Sequence, residues 1–350
     1  YWKRDKKGEQ LPYLDEIIFL ILPDLNQIQL KIEAGEIDTF YSIRPADVES
    51  LKRKSASKIQ LYNVGPAYDF EGLFFNQNGD KDPRSGKPYL DPVRRSWFAD
   101  PNFRRAISYA IDREALIRNA LHGMAVPAYG PESKSNKLWY HDQIRKYPHD
   151  PRKAMELLKS SGFIRKVDSL GEPRLYDRSG NEIRFSLYTN SGNTIRNTEC
   201  LSISGDLAKL GIQVDCTALD FRTLVSKITQ SYDFDAILLG MSHDDIDPAS
   251  GMNIWPTHGS AHFWWPRQKT PATPWEKRID ELMRLQVGTL DYEERKKHYD
   301  EVQQILADQV PMIFTVNELV WVFAKEKIGN LKPSVSRHRT LWNADELYWK

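Results

Sequence analysis

A chain of 350 residues, 40% hydrophobic and 28% charged, is long enough for two or three domains' worth of core and has the balance of a soluble globular protein. A formal net charge of +1 excludes the basic field of a nucleic-acid binder, and no apolar run approaches the roughly 20 residues that span a bilayer. Two cysteines, Cys200 and Cys216, are too few for a disulfide framework and lack the CxxC spacing of zinc or redox sites.

The opening "YWKRDKKGEQLPYLDEI" carries neither an initiator methionine nor a signal-peptide pattern and reads as the middle of a domain whose N-terminal portion is absent. Residues 14–22, "LDEIIFLIL", read as a buried strand. A helix closed by Gly35, a short strand at 39–43 and a short helix at 45–54 follow. "PAYDFEGLFFNQN" then alternates as a strand should. Past a loop, Asp100 before Pro101 and Asp150 before Pro151 mark helix starts, Asp112 recaps a helix, and Gly123 and Gly162 close two.

From residue 183 the pattern is strand, helix, strand, helix, strand, ending in "FDAILLG". A βαβαβ run implies parallel strands with right-handed crossovers, and ligands bind beyond the carboxyl ends of such strands. Cys200 falls early in the first helix and Cys216 in the following strand. Helix and strand rise bring the two level, but helix-to-strand Cβ geometry is demanding and favours buried free thiols. An aromatic loop at 249–275, two amphipathic helices at about 275–287 and 291–309, and one or two strands at 311–325 complete the pattern.

"GMSHDDIDP", residues 240–248, starts at the carboxyl end of the last parallel strand. His243, Asp244, Asp245 and Asp247 are too crowded to face one metal ion, and neither EF-hand nor HExxH spacing supports them. His258 and His262 stand i, i+4, but Pro256 and Gly259 oppose a helix aligning them. Asp244 and Asp247 could serve as paired carboxyls of a glycan hydrolase, a weak signal because acidic pairs are common. A solvated turn is the bland alternative. Position favours a hook for a cationic or sugar-like ligand, with Trp255, Trp264 and Trp265 as an adjoining wall. These tryptophans could equally pack the loop onto its own domain. No GxSxG, Walker A or GxGxxG occurs.

The order of "YWKRDKKGEQLPYLDEI", "LKIEAGEID", "LFFNQN", "FRRAISYAIDREALIRNALHG", "DPRKAMELLKSSGF", "LAKLGIQV" and "FDAILLG" resembles the solute-binding proteins of ABC importers in the dipeptide/oligopeptide group, bacterial extracellular family 5. The resemblance implies an α/β fold of periplasmic-binding-protein-like lobes (type II, cluster C) joined by a hinge, with parallel βαβ units in the C-terminal lobe. It implies that residues 1–74 are part of lobe I, 75–315 form lobe III and 316–350 return to lobe I, with the first lobe I strands and lobe II absent from the chain. Hinge crossings would fall at Phe74–Phe75–Asn76 and Thr315–Val316–Asn317, with Phe75 and Asn76 bordering the cleft. Asp244, in a G-x-x-x-D pattern with Gly240, would pair with a ligand's amino terminus, and Met241 and Ser242 would border its backbone. The implied function is binding of a peptide or peptide-like solute outside the cytoplasm, in the periplasm or at the cell surface. The protein would be a monomer, without catalysis, cofactor, metal or nucleic acid, and would deliver its solute to membrane permease subunits. An oligosaccharide or another non-peptide solute is the alternative within the family.

Overall fold

The computed structural model describes residues 1–22, 25–54, 59–242 and 246–350. The chain first builds α1 (Leu25–Glu33), β1 (Thr39–Phe40), α2 (Pro45–Lys54), β2 (Ile59–Pro66) and β3 (Phe70–Phe75). A helical block follows: α3 (Pro92–Ala99), α4 (Pro101–Ala110), α5 (Arg113–Ala120), the short β4 (Ala125–Pro127) and α6 (Pro151–Ser160). Asp91, Asp100 and Asp150 cap three of these helices with a proline next in line, and Asp112 caps α5 through the Ala115 amide.

The hairpin β5 (Ile164–Val167) and β6 (Pro173–Tyr176) leads to β7 (Arg184–Asn190), α7 (Thr194–Lys209), β8 (Gln213–Leu219), α8 (Phe221–Ser226) and β9 (Ala236–Met241). After the aromatic loop come α9 (Pro274–Gly288), α10 (Tyr292–Gln309), β10 (Met312–Phe314) and β11 (Val316–Lys325). The short pair β12 (Ile328–Gly329) and β13 (Tyr348–Trp349) ends the chain.

Two sheets organise these elements. The larger has the order β10-β3-β9-β7-β8. Its β7 runs parallel to both β8 and β9, as the βαβαβ pattern requires, and β3 and β10 extend it antiparallel. The smaller sheet has the order β1-β11-β2, with β4 paired to the start of β11. The chain passes from smaller to larger sheet at residues 67–69, visits the smaller again for β4, and returns to it at Thr315. The sequence expectation put the hinge crossings at 74–76 and 315–317. The apolar run from Pro66 reads as one strand, but β2 ends at Pro66 and all of β3 lies in the larger sheet.

Alternation along β3 sorts the core into two layers. Leu73 and Phe75 face α4, α6 and α7 beside Phe98, Phe103 and Leu207, whereas Phe70 and Phe74 face α9, α10 and the aromatic loop. The "FRRAISYAIDREAL" motif earns its specificity in this packing. Arg113, fully buried in α5, donates to the carbonyls of Ser108, Ala128, Tyr147 and Phe314, and Arg104 of α4 donates to those of Phe98, Gln309 and Val310. Each guanidinium ties loop carbonyls that burial would otherwise leave unpaired.

Two expectations are corrected here. Residues 14–22 form no strand among the described residues: Ile18, Phe19 and Ile21 stand in solvent, Ile21 95% exposed. Apolar content fits a buried strand but supplies no pairing partner. Cys200 and Cys216, expected as free thiols, form a disulfide between α7 and β8 with Cα atoms 6.1 Å apart. That separation is within the range a bridge accepts.

Candidate functional site

β7, β8 and β9 end at one edge of the larger sheet, at Asn190, Leu219 and Met241. The crossings at 67–69 and Thr315 reach the same edge, because Phe70 at the start of β3 pairs with Met241 at the end of β9 and Phe314 pairs with Gly72. The expected ligand corner and the joint therefore coincide.

Met241 turns its side chain into the core under α9 and α10, and Ser242 is exposed at the strand end. Asp244, the residue implied to hold an amino terminus, lies with His243 and Asp245 outside the described residues. The chain beyond them is firmly anchored. The carbonyl of Ile246 accepts from Asn136 Nδ2 at 3.0 Å, and Asn136 and Tyr299 both donate to Glu132. Asp247 takes a bidentate pair from Arg295 at 2.7 and 3.0 Å and accepts the Ala249 amide, capping the turn that starts at Pro248. Burial pushes the Asp247 carboxyl up, but Arg295 and that amide outweigh it and hold it below the ordinary aspartate range. A carboxylate so held is ionised, which removes Asp247 as the proton donor of the hydrolase pair.

Four charged residues that the sequence reading passes over gather at this edge. On β3 the row 71-73-75 faces α7, and Glu71 occupies its first place, where Leu73 and Phe75 continue it with core side chains. Arg196, in the first turn of α7, donates to Glu71 Oε1 at 2.8 Å and to Asn190 Oδ1 at 2.9 Å. Glu199, one turn on, is fully buried, and Glu318 comes in from β11 of the smaller sheet. Gly240 is the opening that admits the pair: a Cβ there would stand 2.3 Å from Arg196 Nη2 and 3.2 Å from Glu71 Oε1. The signals were present in the sequence as a Glu inside an apolar strand and a Glu on the buried side of a helix.

The other proposed site residues lie elsewhere and are corrected. Phe75 and Asn76 sit at the opposite end of β3 from Phe70, about 17 Å away by strand rise. Phe75 stacks on Phe98 in the core, and Asn76 donates to the carbonyls of Tyr232 and Phe234. Trp255 and Trp264, each 1% exposed, stack on one another beneath the larger sheet, with Phe70 against Trp255. They are core, because a loop of that length needs apolar anchors to lie on its domain. Trp265 is half-buried at the far end of β3, donating to Asp80 at 3.0 Å with Arg95 over its ring.

Two sheet units meeting at a polar corner beyond the ends of parallel strands make a two-lobed α/β frame. The chain belongs to the bacterial extracellular solute-binding proteins, family 5: the model described as "family 5 Middle" matches residues 1–262. It is 25% identical over 316 residues to the oligopeptide-binding protein AppA of Bacillus subtilis, covering 89% of this chain and 52% of that one. The structure of AppA from Bacillus subtilis in complex with a nonapeptide superposes with a TM-score of 0.71 at 22% identity, over 94% of this chain and 59% of the other. The binding protein MelB of Agrobacterium fabrum in complex with stachyose superposes at 0.76 and 20% identity, over 100% and 54%. The chain thus spans about half the length of the relatives it matches.

Proposed function

We propose that this chain is part of the extracytoplasmic solute-binding component of an ABC importer, taking a peptide or peptide-like solute between its sheet units and handing it to membrane permease subunits. One observation carries the reading: the carboxyl ends of the parallel strands meet both crossings, so a solute held there would feel any rotation of one unit on the other. In this reading Asp244 pairs with a solute amine, while Ser242 and the Met241 backbone line its path. A peptide is favoured over a sugar because the aromatic argument for a sugar has thinned, with Trp255 and Trp264 committed to core packing. The disulfide fits an oxidising compartment outside the cytoplasm.

The test is calorimetric, on the full-length protein with peptides bearing a free or an acetylated amino terminus. Asp244→Asn is expected to weaken the free-amine peptides about ten- to a hundredfold, the worth of a charge-assisted hydrogen bond of roughly 1.5–3 kcal/mol. Acetylated peptides should bind wild type and variant alike. Equal affinity of the two proteins for free-amine peptides would remove Asp244 from the site.

A further inference from the structure

The joint between the sheets carries more carboxylate than cation. Glu71 follows the first crossing, Glu318 follows the second, and Glu199 lies between them on α7. Arg196 is the guanidinium among them, and its Nε is committed to Glu71. Asp69 on the first crossing adds further negative charge toward Glu318, and Arg339 from the C-terminal segment opposes it.

Hydrogen bonding shows where protons are needed. Among the described residues, neither oxygen of Glu199 nor Oε2 of Glu71 meets an N–H or O–H donor from another side chain or the backbone. Buried carboxylate oxygens without donors are costly. A protonated Glu199 donating to Glu71 Oε2 gives that oxygen a donor and removes a charge. Burial first, then the charge of Glu71 and the hydrogen bond to it, holds Glu199 well above the ordinary glutamate range. Burial and then Glu71 push Glu318 up to about 7, with Arg196 pulling back.

We propose that Glu71, Glu199 and Glu318 around Arg196 form a proton-operated latch on the hinge. Backbone bonds through these same residues pin the crossings, each continuing a ladder of its own sheet. Thr315 N–H donates to the Glu71 carbonyl at 3.0 Å, Ala67 N–H to the Glu318 carbonyl at 2.8 Å, and Leu319 N–H to that of Met124 at 2.8 Å. Repulsion between Glu71 on the larger sheet and Glu318 on the smaller loads the crossings that those bonds pin. While the surplus carboxyls hold protons the crossings stay bonded; as they ionise, parting the units and admitting water relieves the charge. The sign follows from raised carboxyls. Latch strength is full below the ordinary glutamate range, and the share of Glu318 is lost as pH rises through about 7. The device acts on the joint whichever solute the cleft takes, so its success or failure is separable from the transport reading.

Amide hydrogen exchange on this chain between pH 5 and 8 tests it, with each rate divided by its intrinsic value at that pH. Protection at Ala67, Thr315 and Leu319 is expected to fall as pH rises through about 7, by up to about tenfold per pH unit for each linked proton. Leu238 and Leu239 in central β9, which report unfolding of the larger unit, should not follow. Glu318→Gln alone should shallow the slope, and Glu199→Gln with Glu318→Gln should abolish it. Arg196→Gln, which withdraws the cation, should extend the fall to higher pH. Flat wild-type protection at the three crossing amides would overturn the proposal. So would an undiminished slope in either glutamine variant.

Discussion

Arg113 shows how a single side chain can account for a sequence motif. Its guanidinium fills a fully buried site walled by backbone oxygens, with the Ser108 hydroxyl and the Tyr129 ring completing the shell. Desolvation draws its pKa down to about 10, yet at neutral pH it stays charged and every carbonyl stays paired. Arg113→Met keeps much of the volume and strands several acceptors. It is expected to cost about 3 kcal/mol or more in urea unfolding, with the slope of the transition unchanged. A loss below about 1 kcal/mol would mean that water takes over the carbonyls. Residue identity was the least legible part of the site. Composition alone cannot separate a tryptophan that lines a cleft from one that anchors a loop, and Trp255 and Trp264 proved to be anchors. Glu71 and Glu199 were readable as acids in apolar frames, but their meeting depends on β3 pairing with β9, a long-range contact that no local pattern announces.

At the scale of elements, the α7–β8 disulfide fixes one arm of the βαβ unit whose strand ends form the candidate site. It closes a loop of 16 residues with Glu199 next to Cys200. Replacing both cysteines by serine is expected to lower stability by about 3 kcal/mol, chiefly through the freer unfolded chain. Thermal unfolding with and without reductant measures this: reductant should bring the wild type down to the variant and leave the variant where it is. Identical midpoints for oxidised wild type and variant would contradict it. Elements with caps or parallel-strand patterns were legible, since Asp-Pro starts and the apolar run of β9 are local signals. β2 was missed because Asn63 and Gly65 interrupt its alternation, and the β5–β6 hairpin because β5 is exposed along its length. The segment 14–22 was misread for the opposite reason: its apolar run is genuine, but no described strand pairs with it.

In the whole molecule, the crossings at 67–69 and Thr315 border the corner where Ser242 emerges and the Asp247 anchor begins. In the proposed reading this build holds a ligand by closing over it rather than by transforming it, and Asp247 is paired with Arg295. The most direct test of that claim is a native mass spectrum of the full-length protein, taken before and after hours of incubation with a mixed pool of peptides and oligosaccharides. The account predicts a one-to-one noncovalent adduct with an amine-bearing solute, released intact on denaturation, weakened in Asp244→Asn, and no change in the pool. Cleaved pool members, or an adduct of equal intensity in Asp244→Asn, would contradict it.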